Sequence, residues 1–305
     1  MSSVDVGRRP RVGVLQVAVS LAALGGIAWW ATRQRSPHLS FDVAALAWLC
    51  GALALYGVAS VLRAERWHRL LVASSVDRGR TESYRLTAVG YMGNNTLPAR
   101  AGDVMRVMLL GGPRRTILGT VIAERLLDAL ALAAIFALVV ADRGVGFGPL
   151  PYIAGAGAGG LVVLALLWRF ASWNRLLLAA REWMRPAIGA TRALASPRGA
   201  LLLVASLAVW LVEAAVYLTV GSASGIQLGV MGALYLVALT NLSALVPAAP
   251  GYVGTFDAAV LLALGSLHLS AQSIGYLLVL RFVLFVPITI VGLALLLART
   301  PWRRR

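Results

Sequence analysis

Apolar residues run through the chain in long blocks, separated by short connections rich in arginine. A helix needs about 20 mostly apolar residues to cross a bilayer. Six blocks have that length: 12–31, 43–62, 117–141, 150–168, 200–221 and 271–297. Two more apolar regions, 83–110 and 228–268, are interrupted by polar, helix-breaking stretches. These are "YMGNNTLPARAGDVMR" at 91–106 and "TNLSALVPAAPGYVGTFD" at 240–257. The pattern predicts an all-α integral membrane protein with six full spans and two oppositely oriented broken-helix, re-entrant hairpins; eight spans is the alternative.

The arginines order these segments. They occur at Arg8, Arg9 and Arg11, in the 63–80 connection (Arg63, Arg66, Arg69, Arg78, Arg80), at Arg114 and Arg115, through 169–199, and in the tail at Arg299 and 303–305. The positive-inside rule places these connections and both termini in the cytoplasm. The 222–227 connection carries no charge and falls outside. Region 83–110 then begins and ends inside, and region 228–268 begins and ends outside. The order span, span, hairpin, span therefore recurs upside down. Pro98 and Pro250 lie 152 residues apart, and Arg125 and Arg281 lie 156 apart. Both observations predict one polytopic domain built as an inverted repeat, about 12–141 and about 150–298. The first block lacks a small-residue cleavage site and reads as an uncleaved span. "RAERWHRLL" at 63–71, anchored by Trp67, and the 169–199 connection read as surface helices on anionic lipid, away from any site.

Composition agrees with this picture. The chain is 59% hydrophobic, with a mean hydropathy of +0.80 and 13% charged residues, against about 25% in soluble domains. The net charge of +16 does not indicate nucleic-acid binding, because no basic soluble module is present to provide it. Cys50 stands alone, and His38, His68 and His268 show no ligand spacing, so neither a disulfide nor a metal site is expected. No cofactor motif is legible. Without GxxxxGK[ST], transport would be passive or coupled to an ion or proton gradient.

Chemistry concentrates where the helices break. Pro98 ends a helix and Gly102 permits a turn. The freed backbone groups must then line a wet cavity or be covered by protein. Asn95 can satisfy some of them, Asp103 is placed to cap the next helix, and Arg106 follows one turn on. In the second stretch, Asn241 precedes Pro247 and Pro250, Gly251 and Gly254 allow close approach, and Asp257 enters the next helix. Glu124, Arg125 and Asp128 share one span, while Glu213 and Arg281 fall near mid-span in two others. Buried unpaired, each such group costs several kcal/mol, so they mark a pathway or a paired network. Arg125 can pair with Asp128, and Arg281 with Glu124 or Glu213. Arginine's planar fork suits phosphate, with Arg100, Arg106, Arg125 and Arg281 as candidates. The candidate substrate-binding set is Asn95, Arg100, Asp103, Arg106, Glu124, Arg125, Asp128, Glu213, Asn241, Asp257 and Arg281. No nucleophile–base pair is legible, so no catalytic residue is assigned and enzymatic activity is not expected.

"NNTLPARAGDVMR", "AERLLDALAL" and "PAAPGYVGTFD" resemble the polar signatures of the lysylphosphatidylglycerol synthase transmembrane, flippase-like (UPF0104) family. The resemblance spans about 12–298. It implies roles for Asn95, Pro98, Arg100, Gly102, Asp103 and Arg106, for Glu124, Arg125 and Asp128, and for Pro250, Gly251, Gly254 and Asp257. Asp103 and Asp257 stand where many relatives have Glu, which shortens the reach and keeps the charge. In bifunctional members a cytoplasmic aminoacyl-transferase domain modifies phosphatidylglycerol and the membrane part translocates the product. No such domain follows Arg305, so synthase activity is not expected here.

The resemblance and the opposed hairpins imply a protein of the bacterial cell (inner) membrane that flips a phospholipid or lipid-linked substrate between leaflets. Its expected partners are membrane lipids, anionic ones in particular, and no nucleic acid. The alternatives are an accessory subunit of a separately encoded lipid-modifying enzyme, and an intramembrane head-group transferase using Asp103, Glu124 or Asp257 as acid or base.

Overall fold

A computed structural model describes residues 42–97, 100–143, 197–244, 250–269 and 273–298, with Arg185 and Gly189. The expected spans at 12–31 and 150–168, most of the 169–199 connection, Pro98, Pro247 and the arginines of both termini lie outside the described residues. Among the described residues the structure is helical, with no strand. The helices are α1 (Val43–Ala73), α2 (Arg80–Thr96), α3 (Ala101–Leu110), α4 (Arg114–Arg143), α5 (Pro197–Ala223), α6 (Val230–Ser243), α7 (Thr255–Ser266) and α8 (Ser273–Leu297).

Three of these, α1, α5 and α8, are long and apolar enough to cross a membrane; α1 and α5 contain the blocks expected at 43–62 and 200–221, and α8 covers residues 273–297 of the block expected at 271–297. The block at 117–141 is one continuous 30-residue helix, α4. Its outer face is apolar, with Leu126, Leu130 and Leu138 exposed, while Glu124 and Asp128 are buried. This apolar exterior around a charged interior is the arrangement of a membrane-embedded protein. The interrupted regions form short helices. At about 1.5 Å per residue, α3, α6 and α7 are roughly 15–21 Å long, against about 30 Å of hydrocarbon.

The same local devices recur in both halves. α1 and α5 each end with a turn in which an N–H reaches back five residues, Val76 to the Leu71 carbonyl at 2.9 Å and Ile226 to the Gly221 carbonyl at 2.8 Å. The left-handed residue such a cap requires is Ser75 in the first and Gly225 in the second. Gly79 and Gly229 then start α2 and α6. Each break holds a non-glycine residue with positive φ: Arg100 (55°) before α3, and Tyr252 (53°) in the single 3₁₀ turn Pro250–Tyr252 before α7. Such conformations cost about 1–3 kcal/mol and persist where surrounding structure enforces them. α1 packs on α5, α2 on α8, and α4 on α6, so the halves interlock crosswise.

α2 and α3 touch backbone to backbone. A methyl group on Gly102 would collide with the Gly90 carbonyl and the Asn94 amide. Gly102→Ala is therefore expected to destabilise the protein by roughly 1–3 kcal/mol through overpacking. Thermal unfolding in detergent checks this. Gly51→Ala, where a Cβ meets nothing within 4 Å, should leave the midpoint unchanged or slightly raised.

Candidate functional site

Three helices bring six charged side chains into a closed ring. Asp103 and Arg106 come from α3, Glu124, Arg125 and Asp128 from α4, and Arg66 from α1. Around the ring, Asp103 meets Arg106 (3.3 Å), which meets Glu124 (2.6 Å), which meets Arg66 (3.3 Å). Arg66 meets Asp128 (2.6 Å), which meets Arg125 (3.5 Å), and Arg125 returns to Asp103 (3.0 Å). Three guanidinium groups alternate with three carboxylates, so the ring is neutral. Ser206 of α5 accepts a further bond from Arg66 (2.6 Å), and Asn94 caps the ring by donating to Asp103 (3.2 Å). Arg106 also lies over the Trp67 ring, at 4.7 Å. The i, i+4 spacing of Glu124 and Asp128 is what lets both carboxylates face Arg66.

Two more pairs stand beside the ring. Arg63 of α1 binds Glu213 of α5, which also accepts from Asn241 of α6 at 3.3 Å. Arg63 lies over Trp210 (5.2 Å) and Tyr91 (5.9 Å). Arg281 of α8 binds Asp257 of α7 and donates to the Gly251 carbonyl at 3.3 Å. Asp257 accepts the Gly254 N–H at 2.9 Å and so caps its helix. Asp103 does not cap α3, because its carboxylate is held by Arg125, Arg106 and Asn94.

Five arginines thus balance five carboxylates, and Arg100 is the exception. It donates to the Ala244 carbonyl and lies 5.4 Å from the Tyr252 ring centre, with no carboxylate partner among the described residues. Its Nε is buried without a hydrogen bond. These contacts join the two breaks: Arg100 sits in the first, and Ala244 and Tyr252 flank the second.

Where the breaks meet there is a cavity of about 100 Å³. Its polar wall is Arg63, Arg100, Arg125, Asp128, Glu213 and the amides of Asn94, Asn95 and Asn241, and aromatic rings with Leu132, Ala244 and Leu284 close the rest. Three guanidinium groups face two carboxylates, so the cavity carries a net positive charge suited to an anionic group small enough to fit, such as a phosphate.

The sequence profile of the lysylphosphatidylglycerol synthase TM region matches residues 14–292. The chain belongs to this family. No curated protein and no solved structure matches it. All three polar signatures fall inside the matched span.

For a lysylphosphatidylglycerol synthase TM region, the structure sorts the candidate residues into two groups. Asn95, Arg100, Arg125, Asp128, Glu213 and Asn241 line the cavity. Asp103, Arg106, Glu124, Asp257 and Arg281 stand behind it as partners in ion pairs. Asn95 also ties α2 to α8 through Thr289 Oγ1 (2.9 Å). Arg281 pairs with Asp257 rather than Glu124 or Glu213, which are taken by α1 and α3 arginines. Gly102, Pro250, Gly251 and Gly254 lie at the breaks.

The reading of 63–71 as an interfacial helix is overturned. α1 continues unbroken to Ala73, Arg66 and Trp67 are fully buried, and the Trp67 indole donates to Thr120 at 3.1 Å. Arg63 and Arg66 belong to the ion-pair system, and Tyr56, Tyr91, Trp210 and Tyr252 join the cavity wall. A legible signal existed: Ala52, Tyr56, Ala59, Arg63, Arg66 and Leu70 recur every three or four residues on one buried stripe.

Proposed function

We propose that this protein translocates a phosphate-bearing lipid between leaflets, passing the headgroup through the cavity between the two broken hairpins. The observation that carries the reading is Arg100. It is the cation at the junction of the breaks without a carboxylate partner among the described residues, so an entering phosphate would supply its missing counter-charge. The five acidic groups nearby are all held by guanidinium groups. That arrangement favours a fixed polar passage over general acid–base work, so no covalent step is assigned.

The proposed architecture is one polytopic domain in two inverted halves. The apolar blocks at 12–31 and 150–168, outside the described residues, stand in the sequence where the first span of each half is expected. The recurring caps, the paired left-handed residues Arg100 and Tyr252, and the crosswise packing support this. In it, α2–α3 and α6–α7 are re-entrant hairpins from opposite faces, six spans surround them, and both termini face the cytoplasm of a bacterial cell. The natural partners are anionic membrane lipids.

Arg100→Gln tests the reading in proteoliposomes, with lipids carrying a headgroup dye and an impermeant reductant outside. Exchange between leaflets should fall at least about tenfold, the loss of one charge-assisted contact, while the unfolding midpoint stays near wild type. Arg100→Lys should retain part of the rate. Unchanged exchange in Arg100→Gln would exclude Arg100 as the headgroup ligand.

A further inference from the structure

The cavity of about 100 Å³ has room for a headgroup phosphate and none for an acyl chain. Next to it lies a much larger apolar groove of about 730 Å³, between α1, α2 and α8, within the roughly 300–1,000 Å³ usual for ligand sites. Tyr56 and Tyr91 belong to the walls of both spaces. The Arg63 guanidinium lies against Tyr91 from the cavity side, while Gly57, Ser60, Val61, Ile288 and Val291 shape the groove. Val61 and Val291 are about half exposed, so the groove opens sideways toward the lipid phase in a membrane-embedded chain. Gly57 keeps it wide, since a Cβ there would meet nothing within 4 Å.

On the basis of the translocation reading, we infer that the groove holds the acyl chain of the transported lipid while its phosphate enters the cavity, the lipid straddling the Tyr56–Tyr91 pair. Two features select this occupant over a protein partner. The groove shares those two rings as a common wall with a cavity of net positive charge that complements a phosphate. Its lining is mostly apolar, with Arg80 and Arg85 near the start of α2 at one end, and its half-exposed valines face hydrocarbon, where a tail enters at no desolvation cost. Tyrosine suits such a boundary because it combines an apolar ring with a polar hydroxyl.

The test is Gly57→Trp, which fills the groove from a position with open space and touches no ion pair. Full-length protein is reconstituted with a phosphatidylglycerol bearing a photoactivatable diazirine near the end of one acyl chain. Labelled peptides are mapped, and leaflet exchange is followed in the same vesicles. In wild type the label should fall on Ser60, Val61 and Val291. In Gly57→Trp that labelling should be lost and exchange should drop about tenfold, while labelling of the lipid-facing Val204 on α5, 61% exposed, stays constant. If Gly57→Trp exchanges lipid at the wild-type rate, the groove assignment is overturned and the translocation reading stands. If wild type labels in the groove and Gly57→Trp does not, yet neither exchanges lipid, the groove stands as a lipid site and translocation fails. Groove labelling no stronger than that of Val204, and equal in both proteins, also overturns the inference.

Discussion

Arg66→Met is expected to destabilise the protein by about 3–5 kcal/mol, the cost of removing one partner from a buried ion pair. The Arg66 side chain is fully buried, and its loss leaves Glu124 and Asp128 facing each other with one fewer cation between them. Methionine keeps most of the volume, so the effect reports charge rather than a cavity. Three residues on, Arg69 is 64% exposed and, among the described residues, pairs with Glu65 in the same helix. Arg69→Met should change stability by no more than about 0.5 kcal/mol. Thermal unfolding in detergent compares the two. Equal shifts would mean that residues 63–71 lie at the membrane surface and the ring does not form.

The second large effect concerns the pair that links the two halves. Arg63 and Glu213 are 150 residues apart, at matching positions of α1 and α5. Arg63→Glu places two carboxylates together, and Glu213→Arg places two guanidinium groups together. Each single variant should lose about 3–5 kcal/mol. The double variant restores opposite charges in the same space, and should recover at least 0.5–3 kcal/mol, the coupling typical of contacting residues. A thermodynamic cycle over the four proteins measures the recovery. Strict additivity would show that the two side chains do not meet. Recovery is expected to be incomplete, because an arginine at 213 would not reproduce the stacking of Arg63 on Trp210 and Tyr91.

Much of this site could be read along the chain, for physical reasons. Pro250, Gly251 and Gly254 interrupt an apolar run, and a 3₁₀ turn stands there before α7 starts at Thr255. Glu124, Arg125 and Asp128 are too costly to bury alone, and they are buried in company. The partners were less legible. Arg63 and Arg66 follow an apolar block and precede Arg69, which is how a positively charged membrane boundary also reads. Periodicity separates the cases: Arg63 and Arg66 share the stripe of Tyr56 and Ala59, while Arg69 leaves it. The pairing of Arg281 with Asp257 could not be derived from spacing, because it depends on how α7 packs on α8. Asp103 fails as a cap for a related reason, since two arginines outcompete the backbone for its carboxylate.

In the proposed translocation, lipid headgroups pass through the cavity between the breaks. It is tested most directly by plugging that cavity reversibly. Asn241 lies on its wall, and the native Cys50 is exposed and replaceable by Ser. In a Cys50→Ser, Asn241→Cys protein reconstituted with headgroup-labelled lipid, a bulky methanethiosulfonate reagent would occupy the cavity. Leaflet exchange should be present before modification, stop after it, and return when the mixed disulfide is reduced. Exchange that continues with the cavity filled, or that never exceeds protein-free vesicles, would contradict the account.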